Sequence, residues 1–189
     1  MLRILGKASS INVRKVLWTC REIGLPYQRE DWGTGFASTR TAEFLAMNPN
    51  GLVPVIEDEA GILWESNTIC RYLAARHGRT DLLPASPRGR ALVETWMDWQ
   101  ATDLNSAWRY AFLALVRRDP GFADQAQIEA SARSWNAMIG ILEGRLAATG
   151  GLRDRGGLHA RRHGAGPFGE PLAGDADAAA GLPRRHGLC

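Results

Sequence analysis

A chain of 189 residues can form two small domains or one medium one, and its 45% hydrophobic and 23% charged residues are ordinary for a globular protein. No apolar run approaches the ~20 residues of a membrane span, and the N-terminus, MLRILGKASS, lacks the apolar core of a secretion signal, so a cytoplasmic protein without a membrane partner is expected. The net charge of +3 does not make a nucleic-acid binder: from Gly151 onward six arginines face four acidic residues, which leaves the rest nearly balanced at 17 basic against 16 acidic.

In chain order, residues 2–5 (LRIL) read as a buried strand. After a turn at Lys7–Ser10, Val13, Val16, Leu17, Cys20 and Ile23 recur at helical spacing, giving a helix from Asn12 to Ile23 that Gly24 and Pro26 stop. Tyr27–Asp31 forms a second strand, Trp32–Ser38 a glycine-containing loop and Thr41–Met47 a short helix. Asn48, Pro49, Asn50 and Gly51 carry turn chemistry. Leu52–Ile56 is β-rich but contains Pro54, which demotes it to an edge, a bulge or a cis turn. A hairpin turn at Glu57–Gly61, a strand at Ile62–Trp64 and a helix over Ser66–His77, with Ser66 as its N-cap, complete a β-α-β-α-β-β-α order.

Residues 78–88 contain two prolines and read as a linker. Helical pattern then runs from Gly89 to about Val116, and again from Phe122 to about Ala148. Trp96, Trp99, Trp108, Phe112 and Leu115 are expected to form the core of a helical domain. At Gly150 the character changes. The tail is rich in Gly, Arg, Ala and Pro, contains no Ile, Val, Met, Trp, Tyr, Ser, Thr, Asn, Gln or Lys, and cannot build a packed core. The organisation is therefore 1–78 sheet domain, 79–88 linker, 89–150 truncated helical domain and 151–189 aberrant tail.

The β-α-β-α-β-β-α order with proline opening the third strand resembles the thioredoxin superfamily. SSIN at 9–12, NPNGLVP at 48–54 and WESNTICRYL at 64–73, in that order, resemble the serine-type cytosolic glutathione transferases of bacteria. The resemblance covers about residues 1–149. It implies an α/β thioredoxin-like N-terminal domain followed by an all-α domain, with glutathione as co-substrate, a small hydrophobic electrophile and a homodimer.

Glutathione offers two carboxylates, an ammonium, two amides and a thiol. By the resemblance, Pro54 is a cis-proline that turns the Val53 backbone outward, so that its N–H and C=O pair with the cysteinyl backbone like an added strand. The N-terminus of the helix opening at Ser66 seats the γ-glutamyl carboxylate, and Glu65 holds the ammonium. Ser10 stabilises the thiolate with Asn12 assisting; Ser9 is the alternative, and capping of the first helix is what these residues do otherwise. Lowering a thiol pKa of ~8.5 by ~2 units requires ~2.7 kcal/mol, within reach of one charge-assisted hydrogen bond plus a helix dipole. The family often has Gln, Lys or Arg before the Val-Pro pair to meet the glycyl carboxylate. Here that residue is Leu52, which leaves Arg40 or Asn50 to substitute. Trp108, Arg109 and Phe112 are the candidates for the electrophile pocket.

Other chemistries find little support. Cys20, Cys70 and Cys189 are few and form no CxxC, so neither a disulfide framework nor a dithiol motif is signalled. His77, His159, His163 and His186 do not combine into a metal site. Besides conjugation, two alternatives stay open: a non-catalytic glutathione-binding or regulatory module, and an inactive frameshifted product. The last rests on the tail. Reading from the second base of each codon from Leu152 onward, with GC-favoured codons, one consistent choice gives Tyr-Val-Thr-Gly-Ala-Ala-Phe-Thr-Leu-Ala-Asp-Met-Val-Leu-Gly-Leu-Ser. This is a glycine turn, a Thr-to-Asp capping box and an apolar helix, as the family has after its second long C-terminal helix.

Overall fold

The computed structural model describes residues 1–149, which divide into two compact units, Met1–Asp98 and the helices from Trp99 onward. The tail expectations, including those on His159, His163, His186 and Cys189, lie outside the described residues.

The first unit is a four-stranded sheet of order β2-β1-β3-β4, formed by β1 (Leu2–Leu5), β2 (Tyr27–Glu30), β3 (Val55–Asp58) and β4 (Gly61–Trp64). β1 runs parallel to β2 and antiparallel to β3, and β3 is antiparallel to β4. With α1 (Ile11–Ile23), α2 (Ala42–Met47) and α3 (Ser66–Arg76) this is the expected thioredoxin-like arrangement.

Strand alternation builds two cores. Leu2, Ile4 and Ile56 face Val16 and Cys20 of α1 and Ile69 and Leu73 of α3. Leu5 and Val55 face the other way, onto Phe44 of α2, whose ring lies 5.1 Å from that of Trp32. Between these, Arg3 lies on the sheet with its guanidinium bonded to Glu30 at 2.8 and 3.0 Å and to Glu57. The Glu30 carboxyl is held below its ordinary pKa by that arginine.

Gly24 ends α1 for the reason anticipated: it stands at φ 75°, where its own N–H and that of Leu25 satisfy the carbonyls of Arg21 and Cys20. Other readings shift. Helix α2 starts at Ala42 rather than Thr41, because Thr41 is its N-cap and accepts from the Phe44 N–H at 3.2 Å. Pro54 precedes β3 rather than lying inside it, and the hairpin turn narrows because Asp58 pairs directly with Gly61. Helix α4 (Pro87–Trp99) starts two residues early, since Ser86 accepts from the Gly89 N–H and proline suits the first helical position. The helical stretch to Val116 is interrupted by a π-helical turn, Gln100–Leu104, before α5 (Asn105–Leu115). The last helix, α6 (Gln125–Ala148), begins at Asp124, whose carboxylate accepts from the Gln127 N–H, not at Phe122, which closes a short 3₁₀ turn under Asp119.

In the second unit α5 and α6 are joined through Ser131, which donates to the Ala107 carbonyl at 2.7 Å and accepts from the Ala111 N–H at 3.1 Å. The expected aromatic core is corrected. Trp96, Trp99, Trp108 and Phe112 are only half-buried and Leu115 is 56% exposed; Ser131 is the buried residue of α6, and α4 and α5 bury none. Helical periodicity identifies an apolar face but not whether anything covers it. Among the described residues no helix is long and apolar enough to cross a membrane.

Candidate functional site

Register brings three chain segments to one end of the sheet. Leu5 pairs with Val55, and Val55 with Trp64. The residues beyond them, Gly6, Pro54 and Glu65, therefore end in one row. Gly6 leads into the 7–10 turn and the start of α1, Pro54 closes the NPNGLVP segment, and Glu65 opens α3. Gly6 makes the convergence possible. Its φ is 149°, and a Cβ there would lie 2.5 Å from Val13 Cγ2 and 3.1 Å from Val53 Cβ.

At the first segment, Ser10 occupies the N-cap position of α1 with extended backbone, and its carbonyl accepts from the Arg14 N–H at 2.9 Å. Its hydroxyl makes no capping bond. Ser9 and Asn12 are exposed, Ser10 is half-buried, and α1 presents its free N–H groups here. The Arg14 guanidinium ties the turn down through the Ala8 carbonyl at 3.0 Å.

At the second, the Val53–Pro54 bond is cis. The preceding turn is closed by Gly51 N–H to the Asn48 carbonyl at 2.9 Å, with Gly51 at φ 63°. Arg40 donates to the Asn50 carbonyl at 3.4 Å and lays its guanidinium against Gly51, while the Asn50 side-chain amide donates to Asn48 Oδ1 at 3.2 Å. Both candidates for the glycyl carboxylate thus brace the turn, although both are exposed and Arg40 keeps further donors.

At the third, the expectation for Ser66 is corrected. Glu65, not Ser66, is the N-cap, held at φ 75° and ψ 110° where side chains are strained, and its carbonyl accepts from the Ile69 N–H at 2.8 Å. Ser66 becomes the first helical residue. The residue is 6% exposed overall, but among the described residues no side-chain oxygen or nitrogen is buried without a partner, so its hydroxyl, which makes no hydrogen bond there, keeps access to solvent. The Glu65 side chain is exposed. Asn67, which sequence reading passed over, accepts from Lys15 Nζ at 3.2 Å and donates to the Met97 carbonyl at 2.9 Å, tying α1 and α4 to the start of α3. Burial lowers the Lys15 pKa against the pull of Cys70 and Glu65.

Among the described residues, the Cys20 and Cys70 thiols are poor nucleophiles. Burial pushes Cys20 up to about 12 and also raises Cys70, so both stay protonated at neutral pH. In the second unit the Trp108 and Phe112 rings meet edge to face at 4.5 Å, Trp108 lies 6.3 Å from Trp135, and Arg109 is exposed. His77 caps the C-terminus of α3, and no group of three or more potential ligands among the described residues is placed to hold a metal.

Comparison with known proteins adds a family to this geometry. Residues 9–76 match the family described as glutathione S-transferase, N-terminal domain. Glutathione S-transferase GstB of Escherichia coli K12 is 46% identical over 149 residues, 78% of this chain and 72% of that protein; 150 residues precede Gly151 here. Glutathione S-transferase 3 of Zea mays is 31% identical over 150 residues, covering 77% and 67%. Among solved structures, a theta class glutathione S-transferase from Xanthomonas axonopodis pv. citri with glutathione bound is similar, with a TM-score of 0.71 and 38% identity over 77% of this chain and 70% of that one.

Proposed function

The chain belongs to the glutathione S-transferase family, and from that premise we propose how its residues divide the work of conjugating the glutathione thiolate to a small hydrophobic electrophile. The row formed by Gly6, Pro54 and Glu65 carries the reading, because one tripeptide laid along it meets all three segments.

The γ-glutamyl carboxylate sits at the N-terminus of α3, where free backbone N–H groups, the helix dipole and the unpartnered Ser66 hydroxyl favour negative charge. The Glu65 carboxylate takes the ammonium. Val53 pairs its backbone with the cysteinyl residue beside Pro54. Arg40, with Asn50, meets the glycyl carboxylate using donors left over from the turn. The thiol then reaches the start of α1. There the Ser10 hydroxyl, free of capping, donates to the sulfur, and Asn12 or Ser9 adds a second donor. The thiol proton leaves to solvent, the thiolate attacks the electrophilic carbon, and the leaving group departs with the bond pair. Trp108, Arg109 and Phe112 provide aromatic surface and positive charge for the electrophile. The working form is a homodimer.

The transferase names of the relatives favour turnover over a purely binding module. Retention on immobilised glutathione followed by a conjugation assay with a chromogenic aryl halide tests the proposal. Retention without conjugation would leave a binding module, and neither would refute the site.

A further inference from the structure

Asn48 is 3% exposed and sits at the end of α2. A buried amide is tolerated when both of its ends are bonded, and every polar group of Asn48 is. Its N–H donates to the Phe44 carbonyl at 2.9 Å and its carbonyl accepts from Gly51. Its Oδ1 accepts from the Asn50 backbone N–H at 3.1 Å, and its Nδ2 donates to the Leu52 carbonyl at 2.8 Å.

The last of these bonds reaches beyond the turn. The Leu52 carbonyl and the Val53 N–H belong to one planar trans peptide unit, in which C=O and N–H point in opposite directions. Drawing the carbonyl toward buried Asn48 turns the Val53 N–H away from it, and no acceptor for that N–H is found among the described residues. The Leu52 side chain is 60% exposed and gives the segment little packing anchor of its own.

We propose that Asn48 is a positioning residue for substrate: by holding the Leu52 carbonyl it aims the Val53 N–H at the cysteinyl carbonyl of glutathione. The proposal rests on the backbone pairing of Val53 described under Proposed function.

The test is a cycle of calorimetric titrations on the full chain. It uses wild type and Asn48→Asp with two ligands, glutathione and an analogue whose Cys–Gly amide is an alkene isostere. Asn48→Asp keeps the acceptor for Asn50 and loses the donor to Leu52. It should bind glutathione about fivefold or more weakly, with KM raised by the same factor and kcat at saturating glutathione unchanged. The analogue should weaken binding to wild type by a similar factor and to the variant by nothing further. Equal weakening of both proteins by the analogue would overturn the role of Asn48 while leaving the pairing intact. No weakening of wild type would instead remove the pairing on which the proposal rests. Asn48→Ser, too short to reach Leu52, goes through the same cycle. Unchanged glutathione affinity in a folded variant, or failure of both to fold, would reduce Asn48 to a residue of stability alone.

Discussion

Val55 stands opposite Trp64 across the β3–β4 ladder, and the residues just beyond them, Pro54 and Glu65, therefore lie side by side. This pairing puts the start of α3, with Ser66, next to the segment that in the proposed site would hold the cysteinyl backbone, and Ser66 would then meet the γ-glutamyl end. Ser66→Ala should raise the KM for glutathione about tenfold or more, as expected for losing a hydrogen bond to a charged group, and leave kcat nearly unchanged. Steady-state kinetics decide; normal KM with low kcat would place Ser66 in the chemistry.

Ser10 has the position and the uncommitted hydroxyl for thiol activation. Ser10→Ala should raise the pKa of bound glutathione, read from thiolate absorbance against pH, and cut turnover by roughly 10²-fold or more. Unchanged turnover there, with a loss in Ser9→Ala, would transfer the role to Ser9.

At Gly6, β1 comes close to both Val13 of α1 and Val53. Gly6→Ala would force a Cβ to within 2.5 Å of Val13 Cγ2 at a φ that L residues rarely adopt. It should destabilise the fold by about 2 kcal/mol or more, measurable by urea unfolding, and weaken glutathione binding along with it.

Tyr72 donates to Asp58 Oδ2 at 2.6 Å and accepts from Arg76 at the same distance. The bond to Asp58, with burial added, pushes the Tyr72 phenol from 10.0 up to about 12. Because the folded value is raised, the associated stability is complete below pH 10 and is lost as pH climbs toward 12. Tyr72→Phe should flatten that alkaline limb of the Tm-against-pH curve relative to wild type; superimposable limbs would show that the phenol does not contribute.

The match to the E. coli relative spans 149 residues, close to the length before the composition changes at Gly150, and 28% of that relative finds no counterpart. Sequencing the DNA around codon 151 should reveal a one-base shift. Restoring the frame should yield a more soluble chain with a higher Tm, since burial of a further apolar helix is a large fraction of a ΔG of ~5–15 kcal/mol. An intact frame, or a restored chain no more stable than this one, would count against it.

What could be read from residues alone was what local chemistry decides. Gly24 announces a helix end because it has no Cβ to oppose a positive φ, and the NPNG turn announces itself through an asparagine side chain that bonds its neighbouring backbone. Ser66 was misplaced by one residue because the capping geometry at Glu65 is set by the end of β4, not by the preference of serine for caps. Gly6 was passed over and Asn48 was read only as turn chemistry, since a glycine's close approach and an amide's burial exist only once β1, α1 and the turn have met. The aromatic residues of α5 were read as core because period 3.6 looks the same on a covered face and an open one.

The turn at Asn48–Gly51 also bears on how the protein ages. Asn-Gly is the dipeptide most prone to spontaneous loss of its side-chain amide, which requires the glycine nitrogen to reach the asparagine side-chain carbon. Here the Gly51 nitrogen is engaged with the Asn48 carbonyl and the Asn50 amide with Asn48 Oδ1, so the two reacting groups are held in separate bonds. Folded protein is thereby shielded from succinimide formation at Asn50. Any isoaspartate found at Asn50 after storage would therefore report how often this turn has opened.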